Sequence, residues 1–141
     1  MTSRPAMRST TGRIIRFGLV GASGVVVNQG LLMLLHGTAG LPLILSSAIA
    51  IECSIMSNFI LNSLWTWHYD FEGSSRIWFR KVIEYHAATA LSAFVGNIVV
   101  LTGLVYLFDI DYRIANLAGI AVGSALNYLA SEHWVFRAKS K

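Results

Sequence analysis

Few side chains in this 141-residue chain could do chemistry, and most of them lie in stretches without charge. Glu52 stands alone between Arg16 and Asp70. Placing an acid in such an apolar run costs about 2.5–3.5 kcal/mol on insertion scales, so it suits a proton site or a cation contact. A protonated Glu52 hydrogen-bonded between helices is the structural alternative, with Asn28 as candidate partner. Five amides accompany it: Asn28, Asn58, Asn62, Asn97 and Asn127. Each can donate and accept, either to a polar ligand or to a neighbouring helix, where such bonds average about 0.6 kcal/mol. Arg16, Arg76, Arg80 and Lys81 are the cations suited to a lipid phosphate, with topological charge as their alternative role.

Other chemistry fails on context. The run Gly18-Leu19-Val20-Gly21-Ala22-Ser23-Gly24 resembles a nucleotide-binding glycine turn but has no strand before it. His36, His68, His86 and His133 lack ligand-like spacing. The single Cys53 excludes an internal disulfide framework and a thiol-based zinc site. No serine or cysteine has a base beside it. No catalytic residue, metal or cofactor is expected.

The elements that must position these groups follow from composition. Apolar residues make up 55% and charged residues 13%, about half the roughly 25% usual in soluble domains. Residues 17–51, 85–108 and 114–131 carry no formal charge. A helix needs about 20 residues to cross a hydrocarbon core. The first run is too long for one crossing and has turn residues at Gly37, Gly40 and Pro42. The expected fold is therefore all-α: an integral membrane four-helix bundle with spans near 16–36, 42–65, 83–107 and 113–132. Residues 1–15 form an arm, 66–82 a central loop and 133–141 a tail. A cleaved signal peptide is the rival reading of the first span, but its apolar core is longer than a signal core.

Of the 11 basic residues, all but Arg113 fall in the arm, at Arg16 where the first span begins, in the central loop or in the tail. The positive-inside rule puts both termini and that loop in the cytoplasm, with the protein in the plasma membrane. Trp65, Trp67, Trp78 and Trp134 fall near the same boundary. The net charge of +4 is thus explained by topology and membrane lipid, with no nucleic acid needed.

Asn28 and Asn97, Asn58 and Asn127, and Trp65 and Trp134 are each 69 residues apart. This offset suggests two tandem helical hairpins, a parallel internal repeat. Ser47, Ser54, Asn58 and Asn62 share a face of the second helix, and the offset maps them to Asn116, Gly123, Asn127 and Ser131. Such faces should point into the bundle. Glu52 maps to Ala121, so the repeat does not demand an acid. Gly18, Gly21 and Gly24 in the first helix, and Gly119 with Gly123 in the fourth, suit close helix approach.

Three strings carry a family resemblance: Arg16-Phe17-Gly18-Leu19-Val20-Gly21-Ala22-Ser23-Gly24, Asn58-Phe59-Ile60-Leu61-Asn62-Ser63-Leu64-Trp65-Thr66, and Asn127-Tyr128 with Trp134-Val135-Phe136. Together they resemble the GtrA-like family, and Ala50-Ile51-Glu52 is similar to the variant fused behind dolichol-phosphate-mannose-type synthases. The resemblance implies a non-enzymatic translocase (flippase) of polyprenyl-phosphate-linked sugar, or a membrane subunit serving a glycosyltransferase, in cell-surface polysaccharide synthesis. It implies a separate glycosyltransferase partner. A polar groove between the hairpins would shelter the sugar, and a homo-oligomer, in the simplest case a dimer, would enlarge it. The chain departs from the family at Ser63 and Glu132, where many members carry a cation, and at Trp67, where Phe is usual. Any phosphate contact of that family arginine does not carry over, which leaves the central-loop cations as substitutes. The alternatives are a membrane anchor that recruits a glycosyltransferase and a proton-coupled exporter of small multidrug-resistance type. The strong charge bias and the 69-residue offset weigh against the exporter.

Overall fold

The computed structural model describes residues 9–137, apart from the side chains of Asn97, Tyr112 and Arg113. Arg4, Arg8, Lys139 and Lys141, cations counted in the charge bias, lie outside the described residues. Four helices are long and apolar enough to cross a membrane, and no strand occurs among the described residues. They are α1 (Thr10–Thr38), α2 (Leu43–Thr66), α3 (Ser75–Phe108) and α4 (Tyr112–Ala130, continued by a wider turn over Ser131–Val135). At most 22% of any apolar window is buried within the chain. Side chains such as Val26, Ile44 and Leu107, all above 70% exposed, therefore need acyl chains as solvent. The protein is an all-α, multi-pass membrane protein.

The chain divides between His68 and Tyr69 into two compact units, each a helical hairpin. In the first, α1 starts at Thr10, ahead of the apolar run, because Ser9 caps it. The Ser9 hydroxyl accepts from Gly12 N at 3.2 Å. The return to α2 is tight. Gly40 adopts φ +69°, a left-handed conformation that costs a glycine little, and Leu41 N donates to Leu35 O at 3.0 Å. Pro42 then stands immediately before α2, where its missing N–H costs no helical bond.

In the second hairpin, Ser74 accepts from Ile77 N at 3.4 Å and starts α3 at Ser75, well before the span expected near residue 83. At about 1.5 Å per residue, 34 residues reach about 50 Å, well beyond a hydrocarbon core of about 30 Å. The cationic first turns of α3 are therefore a helical base outside the core rather than a loop. Asp109, at φ 54°, closes α3, and Ile110 N donates to Leu104 O at 3.1 Å. Around the base, Tyr69 packs against Phe71 and Phe136 with ring centroids 5.1 and 5.8 Å apart, and Tyr85 lies 6.1 Å from Phe136.

Wide π-helical turns interrupt the regular winding at Met33–Thr38, Asn62–Thr66, Val95–Val100 and Ser131–Val135. The second and fourth are themselves 69 residues apart. In each, the next residue donates to the first carbonyl: Trp67 N to Asn62 O at 2.9 Å and Phe136 N to Ser131 O at 2.8 Å.

Candidate functional site: polar seams and a cationic helix base

The seam of the first hairpin is set by a missing side chain. Gly24 is buried on α1, and a Cβ there would come within 2.8 Å of Asn58 Cγ. The gap lets the Asn58 amide lie flat on α1, while Ser54, one turn earlier on α2, donates to Gly24 O at 2.8 Å. Gly18 and Gly21 have open space where a Cβ would stand, so of the three glycines only Gly24 makes a close approach. Asn58 Oδ1 is buried without a hydrogen-bond donor among the described residues. A buried acceptor left without a donor is costly, on the order of 1–3 kcal/mol.

Lower in the same seam Asn62 is buried, and its Oδ1 accepts from Thr66 Oγ1 at 2.8 Å. That pair braces the wide turn ending α2. Thr66→Val should lower stability by about 1 kcal/mol through loss of this donor, and Thr66→Ser should not. Thermal unfolding of the detergent-solubilised protein measures both. At the hairpin's end Arg16 reaches the Trp65 carbonyl with Nη1 at 3.4 Å and lies 6.0 Å from the centre of its ring. Phe17 meets Trp67 edge-on at 5.8 Å. Arg16 thus closes the C-terminal end of α2, where a cation complements the helix dipole.

The remaining amides and the acid are arranged differently. Asn28 is half-buried on α1, and the Gly24–Ser54 bond sets a register that brings it level with the neighbourhood of Glu52. Glu52 itself is on the exposed side of α2, beside exposed Cys53. The side chain of Asn97 lies outside the described residues.

The second hairpin is pinned more tightly. A Cβ on Gly96 would run into the Gly119 carbonyl and stand 3.1 Å from Gly123 Cα, and one on Gly123 would stand 3.0 Å from Ser92 O. Next to this contact an open groove of about 210 Å³ is lined by Thr89, Ser92, Ser124 and Asn127 together with Ile120 and small residues. Asn127 Oδ1 and Thr89 Oγ1 are buried there without hydrogen-bond partners among the described residues. Thr89 and Gly96 were missed in the sequence, since a single threonine or glycine in an apolar run carries no spacing signal. Asn116, the expected upper member of the polar face, is exposed, while Gly123 and Ser131 are buried.

At the base of α3 the three cations separate into different roles. Lys81 is buried, its side chain 7% exposed, and its Nζ lies 2.7 Å from Glu84 Oε2 and 5.7 Å from the centre of the Tyr69 ring. Arg80, 59% exposed, places Nε 3.4 Å from Glu84 Oε1. Arg76 is exposed one turn earlier. Glu84 and Tyr69, both missed in the sequence, therefore organise the cluster. The Arg80–Glu84 spacing of four residues was the available signal. Arg76 and Arg80 line an open groove of about 510 Å³ with Ile77 and Ile83. The first turn of α3 holds no acid and carries Arg76 instead. Acids at a helix N-terminus are favoured by about 0.3–1 kcal/mol, so a cation there is a small standing penalty that an anion would relieve. Among the described residues no group of three or more His, Cys, Asp or Glu side chains could hold a metal ion.

Residues 16–136 match the family described as GtrA/DPMS, transmembrane domain. The chain is also similar to a dolichol-phosphate mannosyltransferase of Pyrococcus furiosus, 38% identical over 121 residues that make up 86% of this chain. It spans only 33% of that relative's length. With a match running from the Arg16 that closes the first hairpin to the Phe136 that packs against Tyr69 and Tyr85, the chain belongs to the GtrA/DPMS transmembrane-domain family.

Proposed function

We propose that this protein is a non-enzymatic membrane component of glycolipid or polysaccharide synthesis that carries a polyprenyl-phosphate-linked sugar across the plasma membrane for a glycosyltransferase. The observation that carries this reading is the pair of buried amide oxygens, Asn58 Oδ1 and Asn127 Oδ1, which have no donor among the described residues and lie inside membrane-spanning helices. A sugar headgroup is a dense array of hydroxyl donors and can satisfy such acceptors in passing. In this reading Asn28 and Asn62 belong with Asn58 to the polar seam of the first hairpin, Asn97 is assigned to the second hairpin by the 69-residue offset alone, and Glu52, on the exposed side of α2, is a separate candidate contact. The phosphate is held at the cytoplasmic end, where both termini and the base of α3 lie.

A second reading, a non-transporting anchor for a glycosyltransferase, is favoured by one observation: the chain covers only 33% of a relative named as a transferase. Reconstituted vesicles separate the two. Protein alone should move a fluorescent or radiolabelled polyprenyl-phosphate sugar faster than empty vesicles do. Asn58→Leu and Asn127→Leu should each slow that movement about tenfold, the loss expected for one hydrogen bond of about 1.4 kcal/mol at the rate-limiting step. Movement at the empty-vesicle rate, with a glycosyltransferase still co-purifying, would establish the anchor.

A further inference from the structure

The phosphate-holding end of the proposed path can be resolved into individual residues, an inference that rests on the reading above. Three cations crowd the base of α3, but only two of them are presented to a ligand. Lys81 is buried and committed, with its ammonium 2.7 Å from Glu84 and against the Tyr69 ring. Arg76 and Arg80 stand one turn apart on a single face and line the same open groove. Arg80 is only loosely held, its Nε 3.4 Å from the Glu84 oxygen that Lys81 does not take. The acid-free first turn of α3 adds its own positive end to the same place.

We propose that Arg76 and Arg80, and not Lys81, form the contact for a phosphate headgroup, and that Glu84 is an internal competitor which phosphate must displace from Arg80. Glu84 does to Arg80 what the ligand would do, and so sets how tightly the ligand is held. Lys81 fixes Glu84 in place from the buried side, which makes both of them positioning residues. The arrangement favours weak, reversible capture. A site that passes its cargo on needs that property, because an arginine pair with no competitor would retain the headgroup.

The test uses the full chain in detergent micelles, titrated separately with short-chain polyprenyl phosphate, phosphatidylglycerol and phosphatidylcholine. Glu84→Gln alone strands the buried Lys81 charge and risks unfolding. The informative variant is Lys81→Met with Glu84→Gln, which leaves the net charge unchanged. It should bind phosphate-headed lipid about three- to fivefold more tightly than the parent, the scale of a partly exposed ion pair. Adding Arg76→Gln should abolish the gain. Tightening toward both anionic lipids identifies a general phosphate contact, and tightening toward polyprenyl phosphate alone identifies a monoester site. Either result supports the assignment. Unchanged or weaker binding by the double variant overturns it, since that is the result expected if Lys81 were itself the ligand. A parallel Glu72→Gln variant, which removes an exposed acid from the neighbouring turn, should bind as the parent does. An equal gain there would mean that loss of any acid near the base has the same effect as freeing Arg80, and would overturn the assignment as well. Failure of transport with this binding pattern intact would overturn translocation alone.

Discussion

Gly96→Val should unfold the second hairpin, or lower its melting temperature in detergent further than any other single substitution considered for this chain. A Cβ at Gly96 meets the Gly119 carbonyl and the Gly123 backbone, neither of which can rotate away. Overpacking of this kind costs about 1–3 kcal/mol even where side chains can adjust, and here the two helix backbones must separate. The separation would also undo the neighbouring groove that holds Asn127 and Thr89. Gly103→Val lies on the same helix with nothing within 4 Å of the new Cβ, and should cost only helix propensity. Gly24→Ala is the instructive intermediate case, because it meets the far end of the Asn58 side chain rather than backbone. The amide can swing aside, so stability should fall little while movement of lipid-linked sugar falls. Thermal unfolding of the set, followed by intrinsic fluorescence, would order them, and equal melting of Gly96→Val and Gly103→Val would refute the close crossing.

Lys81→Met should cost about 3 kcal/mol, the second large effect. The Glu84 carboxylate is 18% exposed and would lose its short contact while keeping the longer one to Arg80. Breaking one side of a buried pair typically costs about 3–5 kcal/mol, and the surviving arginine places this case at the lower end. Combining Lys81→Met with Glu84→Gln should recover most of the loss, since replacing both members of a buried pair is often nearly neutral. The coupling read from such a cycle is the measurement. Additive losses would mean that Lys81 and Glu84 do not interact in the folded protein.

The spans were legible in the sequence because charge is absent over residues 17–51, 85–108 and 114–131, and a bilayer imposes that absence over a length a reader can count. The starts of α1 and α3 were harder to read. Ser9 and Ser74 extend these helices past their apolar cores, and capping acts on backbone groups that hydropathy does not weigh. The glycines show a different limit. Gly18, Gly21 and Gly24 look equivalent as letters, but the crossing with α2 selects only Gly24. Similarly, Arg76, Arg80 and Lys81 read as one basic patch. Which of them is buried depends on where Tyr69 and Glu84 lie in three dimensions, and that separates a salt-bridged lysine from two available arginines.

The wide turn over Val95–Val100 also affects how this chain can be compared with others. Such a turn holds one residue more than regular winding would, so the two lengths of α3 that it joins are out of phase by about 100°. A single helical wheel drawn through both lengths assigns one of them to the wrong side. A relative lacking one residue in this short stretch would keep the same contacts on either side with the wide turn removed. A one-position gap there is thus a change of pitch within a conserved architecture, rather than a sign of a different fold.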